Sequence, residues 1–256
     1  MKVEKIKKVS NKYKIIFENK EVITTYDDVI INNNILYKNN INEEIIHKII
    51  SETNYYEMYN KVLKYINTKL RSEYEIVKYM QKLEIDEKNQ NKILEKLKKI
   101  NLINDESFTK AYIHDKLNLS NDGPLKIRKE LINHQINIEL IEQELSKIDN
   151  KYVLCKLEKL ILKKINGNTK YSNNMLKQKL LNYFINMGYE KNDILFLIDS
   201  NKKKNDEVIK KEYVKLYNKY HRKYNDDDLN NMIKKKLYLK GFGYDEINMV
   251  ISNQKR

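Results

Sequence analysis

From Asn121 to Ile136 the chain reads NDGPLKIRKELINHQI, a stretch that holds the only proline of the sequence. Its first turns carry Lys126, Arg128 and Lys129. Basic side chains at a helix start can grip phosphate, because their charged N–H groups join backbone N–H groups that already lack partners. The same residues also make an ordinary helix start. Asp122 reads as the cap, and Pro124 sits in the first turn, where a missing N–H costs little. Leu125, Leu131 and Ile132 are expected to face a core, with Lys126, Lys129 and Asn133 on another face. The start is structural first, and its basic turn is surplus to that need.

Other chemistry is harder to assemble. YNDDDLNNMI at 224–233 holds three adjacent carboxylates, a residue type that metal-dependent nucleases cluster. Consecutive helical residues point ~100° apart and do not converge on one ion, so these acids read as a helix start. His47, His114, His134 and His221 are far apart and form no metal-ligand spacing. Cys155, beside Leu154 and Leu157, reads as a buried, inert thiol without a partner base. Five scattered glycines supply no phosphate-wrapping loop, and KINGNTK at 164–170 reads as a flexible loop. The lysine run at 201–206 reads as a solvated link. The run at 232–240 falls in a helix, with one or two lysines along the core edge. No catalytic, cofactor-binding or metal-ligating residue is expected, and no enzymatic activity.

The balance of charge points to a partner. The net charge is +14, and residues 1–53 contribute almost none of it, with nine lysines against eight acids. The remainder carries 41 basic groups against 28 acids. Such an excess suits a polyanion or an acidic protein surface. Twenty tyrosines invite stacking with single-stranded nucleic acid, but Tyr59, Tyr79 and Tyr183 fall at helical core spacing, where packing is the default. One cysteine fits a reducing compartment. The opening MKVEKIKKVSNKYKIIF lacks the apolar run of a signal peptide, and no stretch approaches a membrane span of ~20 apolar residues. A cytoplasmic location is expected.

These residues must be carried by helices. Five glycines and one proline are too few for a protein of many tight turns. The first 25 residues alternate: Tyr13, Ile15 and Phe17 share one side, ENK turns the chain, and Val22 and Thr24 resume the pattern. This predicts a β-hairpin, with Val3 and Ile6 available for a preceding strand. From Asn54 onward the period is helical. LINHQINIELIEQEL from Leu131, FINMGYEKNDILFLI from Phe184 and LYLKGFGYDEINMVI from Leu237 can be laid over one another, about 50 residues apart, with a looser copy from Tyr79. Ser72, Asp86, Asp105 and Asp206 stand where helix caps are needed, and Gly188 and Gly241 where helices end.

The expected fold is mainly α: tandem three-helix repeats in an elongated curved array, with a small N-terminal extension containing a β-hairpin. The extension is assigned to residues 1–53. The repeats are assigned to 54–104, 105–149, 150–203 and 204–256.

Two segments, YNKVLKYINTKLRSEYEIVKYMQKLEID and LINDESFTKAYIHDKLNLSNDGPLKIRKELINHQI, resemble the RecX family, bacterial regulators of the RecA recombinase. Arg71 and Ser72 match the Arg-Ser pair at a helix start of the family's first unit. Asp105, Phe108, Tyr112, Gly123, Leu131 and Ile136 match the pattern of its second. The chain departs from that pattern at Thr109, where alanine is usual, and at Gln135 and Glu84, where a turn glycine is usual. Gly188 and Gly241 keep the glycine in later units.

The resemblance implies a non-enzymatic modulator without cofactor, acting as a monomer and not at a membrane. Its partners would be the RecA filament and the single-stranded DNA inside it. Members bind the groove of that filament and alter its ATPase activity, strand exchange and stability, usually as inhibitors. On that basis Arg71, Lys126, Arg128, Lys129, Lys177 and Lys179 are expected to line a concave contact surface, all on helix starts or exposed turns. The competing expectation is a general helical-repeat nucleic-acid-binding protein with no recombinase partner.

Overall fold

The computed structural model describes residues 1–201 and 206–253. Lys202–Lys204, read above as a solvated link, and the Asp206 side chain, read as a cap, lie outside the described residues. The chain divides into two units, Met1–Phe108 and Thr109–Arg256.

The first unit opens with a three-stranded antiparallel sheet in the order β1 (Val3–Val9), β2 (Lys12–Phe17), β3 (Val22–Thr25). Ile15 of the central strand pairs with Ile6 on one side and Ile23 on the other. Two residues apart, Ile15 and Phe17 point to the same face, and both are fully buried. They pack with Val29 and Ile30 of α1 (Asp27–Asn32), with Ile35 and Ile41, and with Ile49 of α2 (Glu43–Ile66). So small a sheet needs such a partner to be stable.

Helix α2 runs unbroken for 24 residues, about 36 Å, through the position where the extension was expected to give way to the first repeat. No capping break occurs at Thr53–Asn54. The Thr53 hydroxyl donates to the Ile49 carbonyl at 2.6 Å and accepts from Thr25 at 2.6 Å, so the polar residue is satisfied inside the helix. One helix therefore serves two cores: Ile49 packs under the sheet, while Tyr59, Val62 and Ile66 pack with α3 (Glu73–Lys82) and α4 (Glu87–Lys99) through Ile76, Met80, Ile93 and Leu97.

Ser72 and Asp86 cap α3 and α4 as expected, Ser72 through a full capping box with Glu75. Asp105 does not cap the next helix. Asn104 does, accepting from the Ser107 N–H at 2.9 Å. Asp105 instead accepts from the backbone N–H of Glu73 at 2.9 Å and so serves the start of α3.

The division between the units falls in α5 (Asp105–Leu119). The second unit continues with α6 (Pro124–Asn133) and α7 (Ile138–Ser146), then α8 (Asn150–Asn166), α9 (Asn173–Asn186) and α10 (Lys191–Ser200), then α11 (Asp206–Tyr220), α12 (Asp226–Tyr238) and α13 (Tyr244–Asn253). Val153, Leu157, Ile161 and Ile165 form one stripe of α8 at i, i+4 spacing and meet Leu180, Phe184, Ile194 and Ile198. Cys155, two residues from that stripe, is rotated to the far side and is exposed, contrary to the sequence reading. Leu229, Ile233 and Leu237 do for α12 what that stripe does for α8.

The units of three helices are joined through backbone. The Gly123 N–H donates to the Met187 carbonyl at 2.6 Å, and the Leu125 N–H donates to the Gly188 carbonyl at 3.0 Å. Further on, the Ser172 N–H donates to the Lys240 carbonyl at 3.1 Å. In both joints the start of a second helix meets the left-handed glycine that ends the corresponding helix of the following unit: Gly188 at φ +83° and Gly241 at φ +84°. A β-carbon at Gly188 would stand 2.2 Å from the Lys126 nitrogen, one at Gly123 2.4 Å from the Gly188 oxygen, and one at Gly241 2.7 Å from Ser172 Oγ. Glu84 and Gln135 occupy the same left-handed conformation, at φ 56° and 55°, without being glycine. Each pays a backbone cost of about 1 kcal/mol.

Candidate functional site

The opening segment folds with a cap one residue later than expected. Gly123 is the N-cap of α6, Pro124 is its first residue, and Asp122 stands outside the helix. The reason lies in the joint: only glycine lets the backbone approach Gly188 at the capping position. Asp122, freed from capping, receives the Lys126 ammonium at 2.6 Å and faces Lys116 at 3.6 Å. Ile127 and Leu131 form the buried face of α6, whereas Leu125 and Ile132, expected in the core, are exposed at its edges.

Asp122 is the hub of a small charged network. Burial pushes its carboxyl up, but the hydrogen bond from Lys126, the contact with Ser120 and the charges of Lys126 and Lys116 outweigh that and hold it below the usual carboxylate range. Glu130 behaves alike: burial raises it, and the hydrogen bonds from Lys116 (2.7 Å) and the Tyr112 hydroxyl (2.7 Å) bring it down. The Tyr112 hydroxyl is pushed up to about 12, by burial first and by Glu130 second. Both carboxylates bind protons less readily folded than unfolded, so they stabilise the fold above the ordinary carboxylate pKa and lose that contribution as pH falls through their folded values. Denaturation midpoints are expected to drop as pH falls below about 5. Asp122→Asn/Glu130→Gln should show a shallower drop; an equal drop would mean that these groups carry no acid sensitivity.

The six basic residues singled out by sequence are placed differently from one another. Arg71 is not on an exposed turn. Its side chain is 13% exposed, its guanidinium lies 3.9 Å over the Tyr65 ring, and it contacts Glu75 and Thr68. Tyr65 in turn stacks on Tyr79 at 3.9 Å. Arg71 thus packs the turn between α2 and α3. Arg128 pairs with Glu142 of α7 and Lys177 with Asp199 of α10, each pair tying two helices together. Lys126 is held by Asp122. Lys129 and Lys179 have no ion pair among the described residues, and Lys179 lies 4.7 Å over the Tyr171 ring.

Lys126 and Lys129 share one cleft of about 500 Å³ with Leu125, Glu130 and Asn133 of α6 and with Ile185, Asn186 and Gly188. Lys179 lines another, beside Lys164 and Lys170, which sequence reasoning did not single out. A signal for them was present: residues 159–189 hold six lysines and no aspartate or glutamate. Among the described residues no three His, Cys, Asp or Glu side chains are grouped to hold a metal ion. Asp226, Asp227 and Asp228 lie exposed in the first turn of α12, next to its positive end. Among the described residues no helix is long and apolar enough to cross a membrane.

The family model of the second three-helix domain of RecX matches residues 104–145, the stretch that contains α5, α6 and their caps. The similarity is not confined to that domain. A regulatory protein RecX of Streptococcus agalactiae is 29% identical over 252 residues, which is 96% of this chain and 97% of that protein. The chain is thus similar to RecX proteins over nearly its whole length. A RecX of Streptococcus gordonii is 27% identical over 98% of both chains, and one of Oceanobacillus iheyensis is 27% identical over 82% of this chain and 79% of its own. A crystal structure titled as regulatory protein RecX shares the fold, with a TM-score of 0.67 at 23% identity, covering 78% of this chain and 99% of its own. The stretch similar to the second RecX three-helix domain carries Gly123, Lys126, Arg128 and Lys129.

Proposed function

We propose that this protein is a non-enzymatic regulator of the RecA recombinase, acting on the RecA–single-stranded DNA filament and lowering its ATPase activity and strand exchange. The observation that carries this reading is the end-to-end similarity to proteins named regulatory protein RecX, over 96% of the chain. The charge distribution agrees with it. A surplus of basic groups after residue 53 suits a partner whose surface includes DNA phosphates. Lys129 and Lys179, the two of the six that carry no ion pair among the described residues, are the ones able to meet phosphate without breaking an ion pair. Lys126, Arg128 and Lys177 already hold carboxylates, and in this reading their first duty is to the fold.

The test is ATP hydrolysis by the cognate RecA on single-stranded DNA. Added protein is expected to slow it at concentrations where the protein scarcely binds naked strand. Equal affinity for naked strand and filament, with hydrolysis unchanged, would favour a general nucleic-acid-binding protein instead.

A further inference from the structure

The cleft that Lys179 lines is built differently from the others. Its wall runs from the end of α8 through residues 167–171 into α9, and it encloses about 370 Å³. Lys164, Lys170 and Lys179 stand around it, Tyr171 and Tyr183 form two of its faces, and Leu176 and Leu180 are its apolar lining. Both rings are partly buried, and an ammonium lies over each: Lys164 at 4.6 Å from Tyr183 and Lys179 at 4.7 Å from Tyr171. Tyr183 meets Phe184 edge to face at 5.0 Å, which anchors its ring to the core.

The loop in this wall is held in shape. Asn168 Oδ1 accepts from the backbone N–H groups of Lys170 and Tyr171 at 3.2 and 3.0 Å, and its Nδ2 donates to the Tyr171 carbonyl at 2.7 Å. Tyr171 and Lys170 are thereby set in place before any ligand arrives, which lowers the ordering cost of binding. Among the described residues no carboxylate lines the cleft.

We propose that this cleft binds one nucleotide of a single nucleic-acid strand. The base stacks against Tyr171 and Tyr183 over the leucine floor, and the neighbouring phosphates draw the ammoniums of Lys164, Lys170 and Lys179. In the structure Lys164 and Lys179 cover ring faces; a phosphate attracts them outward and leaves those faces to the base. Charge and aromatic surface occur together here, as strand-binding sites need, since every base offers a π-face whatever its identity. A strand fits better than a free nucleotide because the acid-free segment 159–189 carries lysines beyond the cleft, including Lys159 and Lys163, that can follow a backbone. The assignment deepens the proposed regulatory function by naming where the strand would be touched.

The test is anisotropy of a labelled (dT) oligonucleotide with the full chain across a salt series. Tyr171→Leu is expected to weaken single-strand binding about tenfold with the salt slope intact, since stacking involves no counterion release. Lys164→Gln/Lys170→Gln/Lys179→Gln should flatten the slope by about 2, at ~0.7 per phosphate contact on a single strand. A charge-matched control, Lys5→Gln/Lys38→Gln/Lys99→Gln, should change it far less. Duplex, whose bases are already stacked, should not respond to Tyr171→Leu, and thymidine monophosphate should bind much more weakly than the oligonucleotide. Unchanged affinity of Tyr171→Leu for the strand, equal slopes for the two triple variants, or equal affinity for the mononucleotide would each overturn the proposal. Strand binding by the cleft with no effect on RecA hydrolysis would leave the cleft standing and remove the regulatory reading.

Discussion

Gly188→Ala is expected to destabilise the second unit by about 4 kcal/mol, the mark of a mutation that breaks packing and backbone conformation together. Two costs combine. The residue sits at φ +83°, where a side chain costs about 1 kcal/mol. Its β-carbon would also stand 2.2 Å from the Lys126 nitrogen and 2.5 Å from the Lys126 β-carbon, so α6 must withdraw. Withdrawal strains or breaks the bonds from Gly123 N–H to Met187 and from Leu125 N–H to Gly188, whose net worth is about 1 kcal/mol each, more if the groups remain buried without partners. A fall of about 10 °C in melting temperature should follow. Gly243→Ala is the control: its β-carbon would meet nothing nearer than the flexible Glu246 side chain at 3.5 Å, and it should cost less than about 1 kcal/mol. Equal melting temperatures for the two variants would show that the joint is not formed as described.

The second large effect is expected at Lys240. Its ammonium meets the carboxylate of Glu212, whose side chain is 2% exposed. Lys240→Met keeps an apolar stem of similar length but leaves the carboxylate buried without its cation. Breaking a buried pair from one side costs about 3 kcal/mol, most of it the penalty of the stranded charge. Glu212→Gln/Lys240→Met removes that charge and should recover most of the loss. A double variant no more stable than Lys240→Met would show that packing, not the ion pair, is what Lys240 supplies. Urea denaturation of the three proteins decides it.

The parts of this fold that could be read from sequence are those set by local periodicity. Ile15 and Phe17 alternate in a strand, and Leu157/Ile161/Ile165 and Leu229/Ile233/Leu237 repeat at helical spacing, and all are buried; on α6 Leu131 is buried as expected, but its partner in the core is Ile127, not Leu125 or Ile132. The misplaced residues are those whose role is decided by distant chain. Asp122 looks like a cap, but the approach of Gly188, 66 positions away, gives that position to Gly123. Asp105 looks like a cap too, yet it serves Glu73 across the turn of another helix. Cys155 has leucines for neighbours in sequence, but the α8 stripe passes it by.

The same logic divides the basic residues. Gly188 and Gly241 were legible as helix ends, but their second task, admitting a neighbouring helix, was not. Arg71 was read as a contact residue from its place in a motif, and its partners Tyr65, Thr68 and Glu75 show why that place also needs arginine for packing. Of the lysines, Lys129 and Lys179 have no ion pair among the described residues, while Lys126 and Lys177 do. Which lysine holds a carboxylate depends on helix-to-helix geometry that spacing alone does not contain. The grouping of Lys164, Lys170 and Lys179 around two tyrosines was foreshadowed only by the missing acids of 159–189.

The most direct measurement is the steady-state rate of ATP hydrolysis by cognate RecA on single-stranded DNA as this protein is titrated in. A dose-dependent fall, reached below the concentration at which the protein saturates naked strand, is the result expected of a filament regulator. A rate that stays constant while the naked strand fills would contradict it.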